Sequence, residues 1–63
     1  MSQRVFEKNL GDGIVAYVVA SDKAGLCTAV LWDEDAEEAV NIRVWMTLEE
    51  ATQLCERGFR PNG

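Results

Sequence analysis

Two periodicities divide the chain. Up to Met46 the apolar residues come in short runs that alternate with polar positions or run on for about seven residues, and from Leu48 they recur every three or four. The alternation is clearest in Ala39–Met46. Val40, Ile42, Val44 and Met46 fall on one side and Asn41, Arg43 and Trp45 on the other, so period two with β-branched side chains predicts a strand. Ile14–Ala20 is apolar on both sides and reads as an inner strand, and Leu26–Trp32 reads as a third strand. In Gln3–Leu10, Phe6, Lys8 and Leu10 alternate with Val5, Glu7 and Asn9. The polarity of this stretch suits an edge, and Arg4, Glu7 and Lys8 would discourage edge-to-edge aggregation. Gly11-Asp12-Gly13 and Ser21–Gly25 read as turns, and Asp33–Glu38 as the loop of a last hairpin.

The helical period opens on Thr47-Leu48-Glu49-Glu50, a capping-box pattern. Thr47 is placed to accept from the backbone of Glu50, and the Glu50 side chain to reach back to Thr47. Leu48, Ala51, Leu54 and Cys55 share one helical face. Gly58 is placed as the left-handed residue that ends the helix, Phe59 folds back onto Leu54, and Pro61 lies beyond. The expected fold is α+β: a four-stranded antiparallel β-meander with one C-terminal α-helix packed on one face (ββββα). It forms a single small domain over residues 1–63, with strands at about 3–10, 14–20, 26–32 and 39–46 and the helix at about 48–57.

If Leu10 pairs near Ile14 and Ala20 near Leu26, even-numbered positions share one face. That face, from Phe6 through Val30, Trp32, Val40, Ile42 and Val44 to Met46, is the expected core under the helix. One ten-residue helix covers one face only, so Tyr17, Val19, Leu31 and Trp45 on the odd face would stay exposed. Apolar patches of this kind mark interfaces, and aromatic anchors are hot-spot chemistry. This face is expected to dock on a partner or a second copy, unless sheet twist or the chain ends fold over it.

Charge adds a second polarity to the chain. Between Asp33 and Glu56 stand eight acids and one base, a net −7, whereas residues 1–32 are neutral. The centre of this charge is Asp33, Glu34, Asp35, Glu37 and Glu38, with Glu49 and Glu50 extending it. Such a run has two readings: a solvated turn that keeps the protein soluble, or an anionic docking surface for a basic partner. A chain with a formal net charge of −5 is poorly suited to nucleic-acid phosphates or to an anionic membrane, so no direct nucleic-acid and no membrane binding is expected. No apolar run approaches the length that spans a bilayer, and the first residues carry no apolar signal segment, so a cytoplasmic location is expected.

Catalytic chemistry finds little footing. The chain has no histidine, which removes the commonest general base and metal ligand. Its two serines, Ser2 and Ser21, lie outside any nucleophile pattern. Cys27 in a strand and Cys55 on the apolar helix face read as packing residues, and an enzyme would need one of them exposed with a depressed pKa. Asp33-x-Asp35-x-Glu37 begins like a calcium loop, but Glu38 stands where the turn glycine belongs and Val44 where the bidentate glutamate belongs. No catalytic residue, cofactor or metal site is expected.

The profile of a very short acidic domain without catalytic residues, with Asp33–Glu38 and Glu49/Glu50 as a concentrated anionic surface, resembles small phage-type anti-CRISPR proteins. That resemblance spans the whole chain without a motif. It implies binding to a CRISPR effector subunit at the basic site that otherwise holds target DNA or the PAM-bearing duplex. A weaker resemblance, through Gly25-Leu26-Cys27-Thr28 and Thr47-Leu48-Glu49-Glu50-Ala51, is to HicB-like antitoxins, although an acidic hairpin separates the two pieces here. The expected function is a non-enzymatic inhibitor of a basic protein partner, with Asp33, Glu34, Asp35, Glu37, Glu38, Glu49 and Glu50 as the contact and Trp45 or Tyr17 as anchor. The alternative is a homodimeric assembly module using the apolar sheet face. Either monomer or homodimer fits the sequence.

Overall fold

The computed structural model of the protein describes residues 4–20 and 25–60. Four strands, β1 (Arg4–Gly11), β2 (Ile14–Ala20), β3 (Cys27–Asp33) and β4 (Glu38–Met46), form one antiparallel sheet in chain order, and α1 (Leu48–Arg57) follows. This is the expected ββββα meander. Gln3, Ser21–Ala24 and Pro61, to which the sequence also assigned places, lie outside the described residues.

The turn chemistry is local. Gly11 pairs with Ile14, which leaves Asp12 and Gly13 as a two-residue loop with φ of 56° and 78°. Positive φ at both positions is the type I′ geometry that matches strand twist, and Asp-Gly is a sequence suited to it. At the other hairpin Asp33 pairs with Glu38. The Asp33 carboxylate accepts from the backbone N–H of Asp35 at 2.9 Å and of Ala36 at 3.1 Å, folding the four residues between them into a turn.

The helix starts and stops where its caps require. Thr47 Oγ1 accepts from Glu50 N at 3.1 Å, and Glu50 Oε1 accepts from Thr47 N at 3.0 Å. Gly58, at φ 65°, closes the far end with its N–H donating to the Cys55 carbonyl. The hydrogen bonds from Thr47 hold the Glu50 carboxyl below the usual carboxylate range. A depressed pKa in the folded state adds stability that is present at pH above the ordinary carboxylate value and is lost as pH falls through the depressed one. Thr47→Ala is therefore expected to cost about 1 kcal/mol in urea unfolding at neutral pH, with a smaller cost once Glu50 is protonated. An equal cost at both pH values would show that the reciprocal bond from Glu50 contributes nothing.

The helix lies on Ala16, Val18, Cys27, Ala29 and Leu31, with Ala51 and Cys55 as its own buried residues. Phe6, Leu10, Ile14, Met46, Leu54 and Phe59 close the margins. It runs back across β1–β3 from the end of β4, so Gly58 meets Leu10 and the Asn41 side-chain amide donates to the Phe59 carbonyl at 2.9 Å.

The face assignment of β3 and β4 is a correction. β1 and β2 place even residues under the helix, as expected, but in β3 the odd residues Cys27, Ala29 and Leu31 are buried there. Val40, Ile42 and Val44, expected in the core, are 37%, 52% and 50% exposed. The cause is register: Ala20 pairs with Cys27, not Leu26, and a one-residue slip sends every side chain of the following strand to the opposite face. Met46 regains the helix side because the pairing shifts between Arg43 and Met46, where Trp45 takes φ 60°.

Candidate functional site

Strand order brings the β1–β2 turn and the β3–β4 turn to the same end of the sheet. They are joined there, because the Glu34 N–H donates to the Gly13 carbonyl at 2.9 Å. A Cβ on Gly13 would lie 2.7 Å from Asp35 Oδ2, so Gly13 provides both the positive φ and the room for that carboxylate. The sheet therefore ends in Asp12, Asp33, Glu34, Asp35, Glu37 and Glu38, six carboxylates on two interlocked turns. All but the half-buried Asp33 are exposed.

Among the described residues none of these acids makes an ion pair. Nor do the acids form a cage: no three acidic or thiol groups of the described residues converge as a metal site. Asp33 instead spends its carboxylate on the turn's own backbone.

Glu37 sits at φ 55°, in the left-handed region where a side chain with a Cβ is strained by about 1 kcal/mol relative to glycine. Glu37→Gly is expected to raise the unfolding free energy, read from urea titration, by about that amount over Glu37→Gln, which removes only the charge. Should Glu37→Gly prove no more stable than Glu37→Gln, the backbone there is relaxed.

The remaining expected site residues lie elsewhere. Glu49 and Glu50 stand beyond the far end of β4, about 25 Å along the strand from the acidic turns. Trp45, 62% exposed, is with them at that far end. Tyr17 is half-buried in the middle of the uncovered sheet face, with the Arg4 guanidinium 4.0 Å above its ring. Arg4 also bridges Glu7 at 3.4 Å. The structure thus keeps Asp33–Glu38 together, adds Asp12, and separates Glu49, Glu50, Trp45 and Tyr17 from them. Asp12 had a signal in the sequence, since the first and third hairpins of a four-stranded meander turn at the same end.

The sheet face away from the helix carries Val15, Tyr17 and Val19 of β2, Val30 and Trp32 of β3, and Ile42 and Val44 of β4; Val15 and Val30 are buried, Tyr17, Val19 and Trp32 half-buried, and Ile42 and Val44 exposed. Trp32 leads directly into Asp33, so the apolar face runs up to the acidic end. On the helix side a shallow groove of about 320 Å³ is lined by Met46, Glu50, Gln53, Leu54 and Arg57. Both cysteines are buried, and burial pushes the Cys55 thiol above its ordinary pKa. Among the described residues no helix is long and apolar enough to cross a membrane. The chain matches no family model, no curated protein and no solved structure.

Proposed function

We propose that the protein is a non-enzymatic binding protein that masks a basic, nucleic-acid-handling surface of a partner protein with the acidic end of its sheet. The carrying observation is the joining of two turns into one surface of six carboxylates without a single ion pair among the described residues. Like charges held this close repel, and an array of unpaired acids is stabilised by any cationic surface that covers it. The strained backbone of Glu37 supports the reading, since local strain concentrates at functional sites. The anchors belong to Trp32 and its apolar neighbours, which adjoin the acids, rather than to Trp45, with Glu49 and Glu50 outside the contact.

A carboxylate array stands in for phosphates opposite Lys and Arg, with fast association and strong salt dependence. A CRISPR effector subunit, whose basic groove holds target DNA, is the partner class that fits this chemistry and the resemblance to anti-CRISPR proteins. The test is competition for target DNA. Effector complexes of several types are incubated with labelled duplex and rising concentrations of protein, wild type beside a variant with Asn and Gln at residues 33, 34, 35, 37 and 38. Displacement by wild type alone supports the assignment to that class. Displacement by neither removes the effector as partner, and displacement by both removes the acids as the contact.

A further inference from the structure

We propose that the uncovered sheet face is a self-association surface, on which a second copy of this chain packs sheet to sheet. Register defines its centre. Glu7, Tyr17, Val30 and Ile42 pair in succession across β1, β2, β3 and β4, forming one row at right angles to the strands. Apolar residues flank that row: Val15 and Val19 about Tyr17, Trp32 beside Val30, and Val44 beside Ile42, with Ile42 and Val44 the exposed part of the face and Val15 and Val30 already buried within the monomer. A dyad lying over the row sets Ile42 against Ile42 and Tyr17 against Tyr17 of the second copy. Interfaces of this kind are self-complementary by construction.

Charge selects this dyad over the other simple one. An axis parallel to the strands would stack the two acidic ends at the same edge of the dimer. An axis along the row sends them to opposite ends, about 25 Å apart and beyond the Debye length at physiological salt. The one like-charge meeting is Glu7 with the partner's Glu7 at the rim, and each is already bridged by its own Arg4.

Area decides the strength. Four strands about 4.8 Å apart and seven to nine residues long present a face of roughly 500 Å². Two faces then bury on the order of 1,000 Å², at the threshold for a specific interface, so the dimer is weak and concentration-dependent. Pairing of β4 edge to edge is the poorer route, because register shifts on both sides of Asn41–Arg43 break the ladder.

Sedimentation equilibrium of the intact protein over a wide concentration range tests this, with Ile42→Lys and Val44→Lys as variants. Both residues are half-exposed, so a far-UV spectrum confirms that the variants fold. The expected result is a mass rising from 7.0 kDa towards twice that value, with each variant at least ten-fold weaker in association. Added salt strengthens the dimer by screening two net charges of −5, whereas docking through the acidic end weakens with salt. The two surfaces therefore fail independently. A wild type that stays at 7.0 kDa throughout, or a dimer that both folded variants retain, overturns the proposal.

Discussion

Leu31→Ala is expected to remove most of the protein's stability, whereas Ile42→Ala leaves it nearly unchanged. Leu31 is fully buried on β3, between Ala16 of β2 and Asn41 of β4 and beneath the helix. Truncating a buried leucine costs about 2–5 kcal/mol, since transfer energy is lost and a cavity remains. A domain of 63 residues holds on the order of 3–9 kcal/mol in total. The substitution thus takes half or more of the reserve, and the urea midpoint falls accordingly. Ile42 is 52% exposed and its truncation costs less than about 1 kcal/mol. Measured at low protein concentration, where self-association adds nothing, the order of the two costs reports which face of β3 and β4 lies under the helix. The reverse order would restore the faces that the hairpin lengths alone suggest.

Neutralising Asp33, Glu34, Asp35, Glu37 and Glu38 together is expected to act in opposite directions on binding and on folding. Removing five carboxylates from one end relieves their mutual repulsion, so stability at low salt rises and its dependence on salt flattens. Asn at residue 33 keeps a side-chain oxygen that can accept from Asp35 N and Ala36 N, so the turn survives. Binding to a basic surface loses its steering and its charge-assisted contacts, a fall of about 100-fold or more. Calorimetric titration at two ionic strengths, with thermal unfolding alongside, reads both effects. A variant that is stabilised and still binds would make the acids a solubilising feature only.

Much of this was legible in the residues. The capping box at Thr47 and Glu50, the stop at Gly58 and the Asp12-Gly13 turn are local chemistry, and they fixed the helix at Leu48–Arg57 and the first hairpin without tertiary help. The sheet faces were not legible in the same way, because they depend on one pairing across a turn of six residues. A missed signal lay in side-chain size. The helix sits on Ala16, Cys27 and Ala29 and contributes Ala51 and Cys55, small residues that let it approach, while Tyr17 and Trp32 are left on the other side. Placing Ala20 opposite Leu26 put Val30 and Trp32 under the helix in place of the small residues a close-packed helix needs. The acidic site was legible as Asp33–Glu38. Asp12 joined it through the sheet, and Glu49, Glu50 and Trp45 left it because β4 carries the chain a full strand length away.

The most direct test of the acidic end as the docking surface is a pull-down from host lysate at low and high salt. Wild type, the five-fold neutralised variant and Ile42→Lys serve as parallel baits. A basic protein that wild type and Ile42→Lys both retain at low salt, that high salt releases and that the neutralised variant misses is the predicted result. A partner held by wild type and the neutralised variant alike, regardless of salt, would contradict it and move the binding site off the acidic turns.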